Sequence, residues 1–181
     1  MRIVRRAALI AIVATALTAC TSQSPITVSA GQVVSCESIL TSGRGDGPIL
    51  ECLGGGAPVD VGTLTGPLIL NVWGSWCAPC KDEIPIFRNF YERNKSKVQI
   101  LGVDVEEAKA SDGKDFIVEQ GMTWPNVIDT DGRSRGYFGM GVPVTWFINS
   151  KGEVVYKKIG VLKNEDELVT LTAKYLKIDV S

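Results

Sequence analysis

No histidine occurs anywhere in the 181-residue chain, and that absence removes several chemistries at once. A Cys-His nucleophile, the usual histidine-containing metal sites and a Cys-x-x-Cys-His haem attachment all need an imidazole. Lys81 stands where the haem motif would have its histidine. Charge of one sign is not in excess either: 19 Lys+Arg against 20 Asp+Glu give a formal charge of −1, so no basic face invites nucleic acid. No internal repeat or low-complexity tract is present. The one long uncharged apolar run, Ala7 to Ala19, is too short to span a bilayer comfortably. The length allows one well-cored domain and is too short for two.

That run is preceded by Arg2, Arg5 and Arg6, the layout of a secretory signal over residues 1–19. It ends in Leu17-Thr18-Ala19-Cys20, which resembles the lipobox of bacterial lipoproteins and implies that Cys20 is lipidated and becomes the new N-terminus. The competing reading is an ordinary signal peptide followed by a chance cysteine. Cleavage before Cys20 leaves 16 Lys+Arg against 20 Asp+Glu, a formal charge of −4. Residues 20–32, Ser/Thr-rich with Pro25, are expected to be a flexible lipid-anchored tether. Residues 33–181 are then the folded domain, held at the extracytoplasmic face of the cell membrane.

Five cysteines are an awkward number for an exported chain. Assigning Cys20 to lipid leaves Cys36 and Cys52, then Cys77 and Cys80. Disulfides persist outside the cytoplasm, so a structural Cys36–Cys52 bridge is expected around a glycine-rich loop (Ser42 to Gly47, then Gly54-Gly55-Gly56). The alternative, a four-cysteine zinc site, needs two close-spaced pairs, which Cys36 and Cys52 do not supply.

Leu68 to Trp73 is a continuous apolar run after Gly66-Pro67 and reads as a strand buried on both faces. A helix follows, with Pro79 in its first turn, Ile84, Phe87, Phe90 and Tyr91 on its apolar side, and Pro85 as an expected kink. Val98 to Asp104 predicts a second, parallel strand joined by a right-handed crossover. Ser111 to Gln120 predicts a short helix closed by Gly121, Asn126 to Asp129 a strand, and Arg133 to Phe138 a further helical turn or two. Val144 to Ile148, a turn at Asn149-Ser150-Lys151-Gly152 and Glu153 to Ile159 predict an antiparallel hairpin. Asn164 with Glu167 is a capping arrangement for a last helix, with Leu168, Leu171, Tyr175 and Leu176 facing inward. The fold class is therefore a three-layer α/β domain with a mixed sheet.

Two cysteines separated by two residues at a strand-to-helix junction suit dithiol-disulfide exchange. Free N–H groups and the helix dipole favour a thiolate at Cys77, and Cys80, within one turn, can resolve a mixed disulfide. A static bridge is the bland alternative.

The stretch Trp73-Gly74-Ser75-Trp76-Cys77-Ala78-Pro79-Cys80-Lys81-Asp82-Glu83-Ile84-Pro85, then Gly102-Val103-Asp104 and Gly141-Val142-Pro143-Val144-Thr145, resembles the thioredoxin superfamily in its extracytoplasmic TlpA/ResA-type branch, from about Val59 to Leu176. The resemblance implies a thioredoxin-like fold with an N-terminal extension and an inserted helix-strand element. It implies that Pro143 is cis, lies beside the cysteines and acts with them, that Val142 offers backbone hydrogen bonds to a substrate strand, and that Trp76 flanks the reactive sulfur. Val144 between Pro143 and Thr145 is a departure from the usual pattern. Asn71 occupies the position of the buried aspartate of cytoplasmic thioredoxins and cannot accept a proton at neutral pH. Glu83 matches an acidic residue of the branch; buried, its pKa should rise and let it relay the proton of Cys80, whereas a solvated helix carboxylate would not.

The function implied is a membrane-anchored thiol-disulfide oxidoreductase, monomeric, acting on protein thiols and disulfides. It is expected to reduce its substrates, for instance apocytochrome c thiols, with electrons from a membrane thiol reductase and no cofactor or metal beyond the Cys77–Cys80 pair. The alternatives are a disulfide-forming oxidase, a thiol peroxidase, which Gly74-Ser75-Trp76-Cys77 fits poorly, and a copper metallochaperone, whose relatives use a histidine this chain lacks.

Overall fold

The computed structural model describes residues 30–42, 45–139 and 141–181. The expected signal segment 1–19, Cys20 and its lipidation, and most of the expected tether lie outside the described residues, as do Gly43 and Arg44 of the glycine-rich loop.

Seven strands and three helices follow in order: β1 (Ile49–Cys52), β2 (Val59–Asp60), β3 (Leu68–Trp73), α1 (Ala78–Asn94), β4 (Gln99–Val105), α2 (Ala110–Glu119), β5 (Asn126–Asp129), β6 (Val144–Ile148), β7 (Val154–Ile159) and α3 (Glu165–Leu176). The strands make one sheet in the order β2-β1-β5-β4-β3-β6-β7. The centre, β3-β4-β5, is parallel, and β6, β7, β1 and β2 are added antiparallel. The chain is thus the expected mixed α/β domain, with α2 and β5 as the inserted pair and β1 and β2 in the N-terminal extension.

Every residue of β3 is buried, because both faces of the sheet are covered and the strand need not alternate. One face carries Ile69 and Trp73 against Ile84, Phe87 and Phe90 of α1, Phe116 and Ile117 of α2, and Leu168 and Leu176 of α3. All three helices therefore pack on that face. The other carries Leu68, Leu70 and Val72 against Cys36, Ile39, Val61, Leu64 and Phe138, so its cover is irregular chain with two single-turn 3-10 helices, Cys36–Ser38 and Val61–Thr63. Among the described residues no helix is long and apolar enough to cross a membrane.

Local signals act much as expected. Pro79 sits in the first turn of α1, and Pro85 lies inside this helix without ending it. The Oδ1 of Asn164 accepts the Glu167 N–H at 2.9 Å at the start of α3; Leu168 and Leu176 are buried, with Leu171 and Tyr175 half-buried against the same core. At the β6-β7 turn, Asn149 Oδ1 accepts the N–H of Lys151 and of Glu153.

One expected helix is absent. Residues 133–138 form turns, because the Asp129 carboxylate captures the N–H of Arg133 at 3.1 Å and of Ser134 at 2.9 Å. Gly132 and Gly136 also adopt φ of 74° and 83°, a conformation that interrupts a right-handed helix. Among the described residues two X-Pro bonds are cis, the expected Val142–Pro143 and a second, Gly66–Pro67.

Cys36 and Cys52 are joined by a disulfide, 16 residues apart. Cys52 ends β1, which pairs with β5, so the bridge ties the cover of the second face to the edge of the parallel sheet. Replacing both cysteines with serine should lower the unfolding free energy by about 3 kcal/mol, the loss expected for a loop of this length. Urea titration of the oxidised protein measures it, and an unchanged midpoint would show that the bridge restrains nothing.

Candidate active site

The chain leaves β3 at Trp73, crosses Gly74 to Trp76 and enters α1 with Cys77 as the N-cap residue. Cys77 and Cys80 are joined in a disulfide, and the Cys77 sulfur accepts the Cys80 N–H at 3.2 Å. A helix start leaves N–H groups unpaired, so one of them is answered here by the sulfur itself. Cys77 is 3% exposed and Cys80 fully buried. Of the two, Cys77 is the one nearer solvent, and it has both the N–H donor and the positive end of the helix to favour a thiolate.

The approach loop is held by two groups. The Trp76 indole N–H donates to the Val105 carbonyl at 3.1 Å while the side chain stays 54% exposed. Gly74 makes this placement possible, since a Cβ there would lie 2.6 Å from the indole nitrogen. Ser75 donates through its N–H and its hydroxyl to the two oxygens of Glu107, at 2.5 and 2.8 Å. Glu107, just after β4 and nearly buried, thus clamps the residue two before Cys77. Sequence reasoning passed over Glu107, and an acid in a loop carries no signal of its own.

Pro143 precedes β6, and its carbonyl accepts the Gly160 N–H at 3.0 Å. Val142 packs against the core cluster that contains Cys77 and Cys80. With Trp76 it also lines a cavity of about 290 Å³ floored by Val72, Val105 and Phe138. The mouth of that cavity carries an ion pair between Arg135 and Glu106 at 2.8 Å. The structure therefore brings Trp76 and Val142 to one cavity, with Trp76 next in the chain to Cys77.

Glu83 lies three residues beyond Cys80 on α1 and is fully buried, so it is not a solvated helix carboxylate. Its Oε1 accepts from the Asn71 amide at 2.8 Å, and its Oε2 from the Leu162 N–H at 3.2 Å. Burial pushes its pKa up to about 7, against the opposing pull of the two hydrogen bonds and the positive charge of Lys158. A group poised there can take or give a proton at neutral pH.

A second fully buried acid, Asp104 near the end of β4, belongs to the Gly102-Val103-Asp104 segment that carries the resemblance, with no role implied for its side chain. No donor reaches either of its carboxyl oxygens, while the Glu107 carboxylate is placed to accept a hydrogen bond from the protonated form. It packs so closely against α2 that a Cβ at Gly113 would lie 1.9 Å from Oδ2. Burial first, then the negative charge of Glu107 and a hydrogen bond to it, and last the charge of Asp112, raise its pKa to about 9. The four described cysteines are consumed in two disulfides, and no group of three or more Cys, Asp or Glu among the described residues is placed to hold a metal.

A family model described as the AhpC/TSA family matches residues 50–157. The chain is similar to sporulation thiol-disulfide oxidoreductase A of Bacillus subtilis (strain 168), 35% identical over 101 residues, covering 54% of this chain and 61% of that protein. It is also similar to thiol-disulfide oxidoreductase ResA of the same strain, 36% identical over 110 residues, covering 59% and 61%. The matched region thus spans about three fifths of the length of these curated relatives. Among solved structures, StoA from Bacillus subtilis superposes with a TM-score of 0.56 at 29% identity, covering 67% of this chain and 92% of that one. A secreted Mycobacterium tuberculosis disulfide oxidoreductase homologous to E. coli DsbE superposes with a TM-score of 0.61 at 24% identity, covering 70% and 95%. The last likeness shows the fold, which is thioredoxin-like as the sequence motifs imply.

Asp104 has a measurable consequence for stability. Its pKa is 3.8 in an unfolded chain and about 9 in the folded one, so between those values only the folded state keeps the proton. The group therefore costs stability as pH rises through that window, at up to about 1.4 kcal/mol per pH unit. Asp104→Asn should gain on the wild type by a few kcal/mol between pH 5 and pH 8 in urea unfolding. A difference between the two proteins that is the same at every pH would show that the carboxyl is not protonated inside.

Proposed function

The chain belongs to the AhpC/TSA family, and from that premise we propose that it is an extracytoplasmic, membrane-tethered thiol-disulfide oxidoreductase acting on protein substrates. The observation that carries this reading is the Cys77–Cys80 disulfide set at the start of α1, with the Cys77 sulfur on a helix N–H and the buried carboxyl of Glu83 one turn further on. The relatives' names support the thiol-disulfide oxidoreductase part of this reading.

In the reducing direction the thiolate of Cys77 attacks one sulfur of a substrate disulfide, forming a mixed disulfide and releasing the other substrate sulfur as a thiolate. Cys80 then loses its proton to Glu83 and attacks the Cys77 sulfur. The second substrate sulfur leaves, takes up a proton, and the Cys77–Cys80 disulfide is restored. Two electrons have passed from the protein to the substrate, and a dithiol donor at the membrane, a thiol reductase, returns them. Trp76, Val142 and Pro143 are assigned to substrate contact, with Pro143 beside the reacting sulfurs. No cofactor or metal enters the cycle. The substrate class is a protein disulfide whose thiols are needed free, for instance those of apocytochrome c before haem attachment. Cys20 supplies the lipid anchor and residues 1–19 the export signal.

Cys80→Ser should accumulate mixed disulfides on Cys77 in cells, and Cys77→Ser should accumulate none. Recovery of a cytochrome apoprotein supports the reductant, whereas many unrelated secreted proteins would point to a disulfide-forming oxidase. Equilibration against dithiothreitol and glutathione gives the potential, and a value well above the glutathione range contradicts the reducing role. Peroxide consumption at the expense of a thiol would instead indicate a thiol peroxidase. In the reduced protein, Glu83→Gln should shift the pH profile of cysteine alkylation; an unaltered profile would remove Glu83 from the proton path.

A further inference from the structure

We infer that Asn71 is the positioning residue of the Glu83 carboxyl group, its side-chain amide holding the acid in both of its protonation states. The inference rests on the reading of Glu83 as the proton relay and goes beyond it by naming what keeps the relay aimed.

Asn71 lies in the middle of β3, fully buried, and its Nδ2 donates to Glu83 Oε1 at 2.8 Å. Its Oδ1 has no hydrogen-bond partner, and neither has the hydroxyl oxygen of Thr145, which is also fully buried. Asn71 and Thr145 are direct partners across the β3-β6 pairing, so their side chains emerge on one face of the sheet. It is the face of Ile69, Trp73 and Phe147, against which α1 brings Cys80 and Glu83.

A carboxyl group that gains and loses a proton changes what it needs from a neighbour. Ionised, it needs donors; protonated, it needs an acceptor for its O–H. An amide has both, two N–H donors and a carbonyl oxygen. In the observed orientation Nδ2 serves the carboxylate, and a half-turn about χ2 presents Oδ1 to a carboxylic O–H. Thr145 brings to the same face a hydroxyl, which donates or accepts in turn. An aspartate at this position would repel the ionised form, and an aliphatic side chain would leave Oε1 buried without a partner, which is costly for a charged group. Asparagine is the uncharged residue of that size that answers both states.

Among the described residues two further groups act on Glu83. Leu162, between β7 and α3, gives its N–H to Oε2. Lys158 of β7 acts through its charge and itself lies 3.8 Å from Glu167 of α3. On α1 the cysteines do not titrate while joined. Oxidised protein therefore isolates the carboxyl.

The test is a pH titration of the side-chain carboxyl carbon of Glu83 by NMR in oxidised, ¹³C-glutamate-labelled protein, with Glu83→Gln identifying the signal. The wild type should titrate near the value of about 7 to which burial raises it. Asn71→Ala takes a charge-assisted hydrogen bond from the ionised form and only a weaker neutral one from the protonated form, so the inflection should move upward by about one pH unit, roughly a tenfold change in proton affinity. Asn71→Asp keeps the size and guards against a loss of folding in the alanine variant. It should give two coupled inflections, the later one above that of the wild type. An inflection that stays in place or falls in folded Asn71→Ala, or a single unmoved inflection in Asn71→Asp, overturns the inference. Failure of the relay itself has a different signature, an alkylation profile of the reduced protein that Glu83→Gln does not alter.

Discussion

A helix begins with N–H groups that have no partner within the helix, and in this protein one of them is taken by a sulfur. Cys77 caps α1 with its side chain, accepting the N–H of the very residue to which it is bonded. The disulfide is thus part of the helix start rather than an addition to it, and what fixes the end of β3 and the first turn of α1 also fixes the sulfurs. Glu107 on Ser75, the Trp76 indole on Val105 and the bare Gly74 all act on the three residues between strand and cap. When the disulfide opens, the same N–H remains to meet a thiolate.

The two acids that are fully buried show how hydrogen bonding divides groups that burial alone would treat alike. Glu83 and Asp104 are both fully removed from solvent. Glu83 receives one donor on each oxygen, and its pKa is held to about 7. Asp104 receives none, has two acids for neighbours, and rises to about 9. Only the first lies where a small change in surroundings moves a proton near neutral pH. Asp104 stays uncharged there and acts as a neutral filling between β4 and α2, at a cost in stability that grows with pH.

The sequence made the centre of the molecule readable and its margins obscure, for a local reason. In β3 and α1 the signals are short-range: an apolar run after Gly66-Pro67, a proline in the first turn, a cysteine pair at the junction. In β1 and β2, strands of four and two residues, no periodicity can develop, and pairing depends on β5, far along the chain. Residues 133–138 have a composition that allows a helix, while the deciding contacts come from Asp129. The site divides in the same way. Cys77, Cys80 and Glu83 stand in a motif, and Asn71 is marked by its place before it, whereas the contacts of Glu107 and Asp104 arise only because the sheet brings β4 alongside β3 and the bond from Asn71 to Glu83 only because α1 folds back over β3.

The placement of all three helices on one face of the sheet separates two tasks. Asn71, Thr145, Glu83 and Cys80 lie in the layer between sheet and helices, where water is excluded and a proton can be held by a few fixed donors. The cavity beside Trp76 and Val142 opens through irregular chain toward the other face, where Val72 and Phe138 are apolar and the Arg135–Glu106 pair stands at the rim. Cys77 belongs by its burial to the helix-side core, while Trp76, the residue before it, lines the cavity. None of the groups bonded to Glu83, neither Asn71 nor Leu162, lines that cavity. The 3-10 turns, the Cys36–Cys52 bridge and the Asp129 turn, which replace helices on the second face, give that cover its shape without reaching into the layer where the chemistry is set.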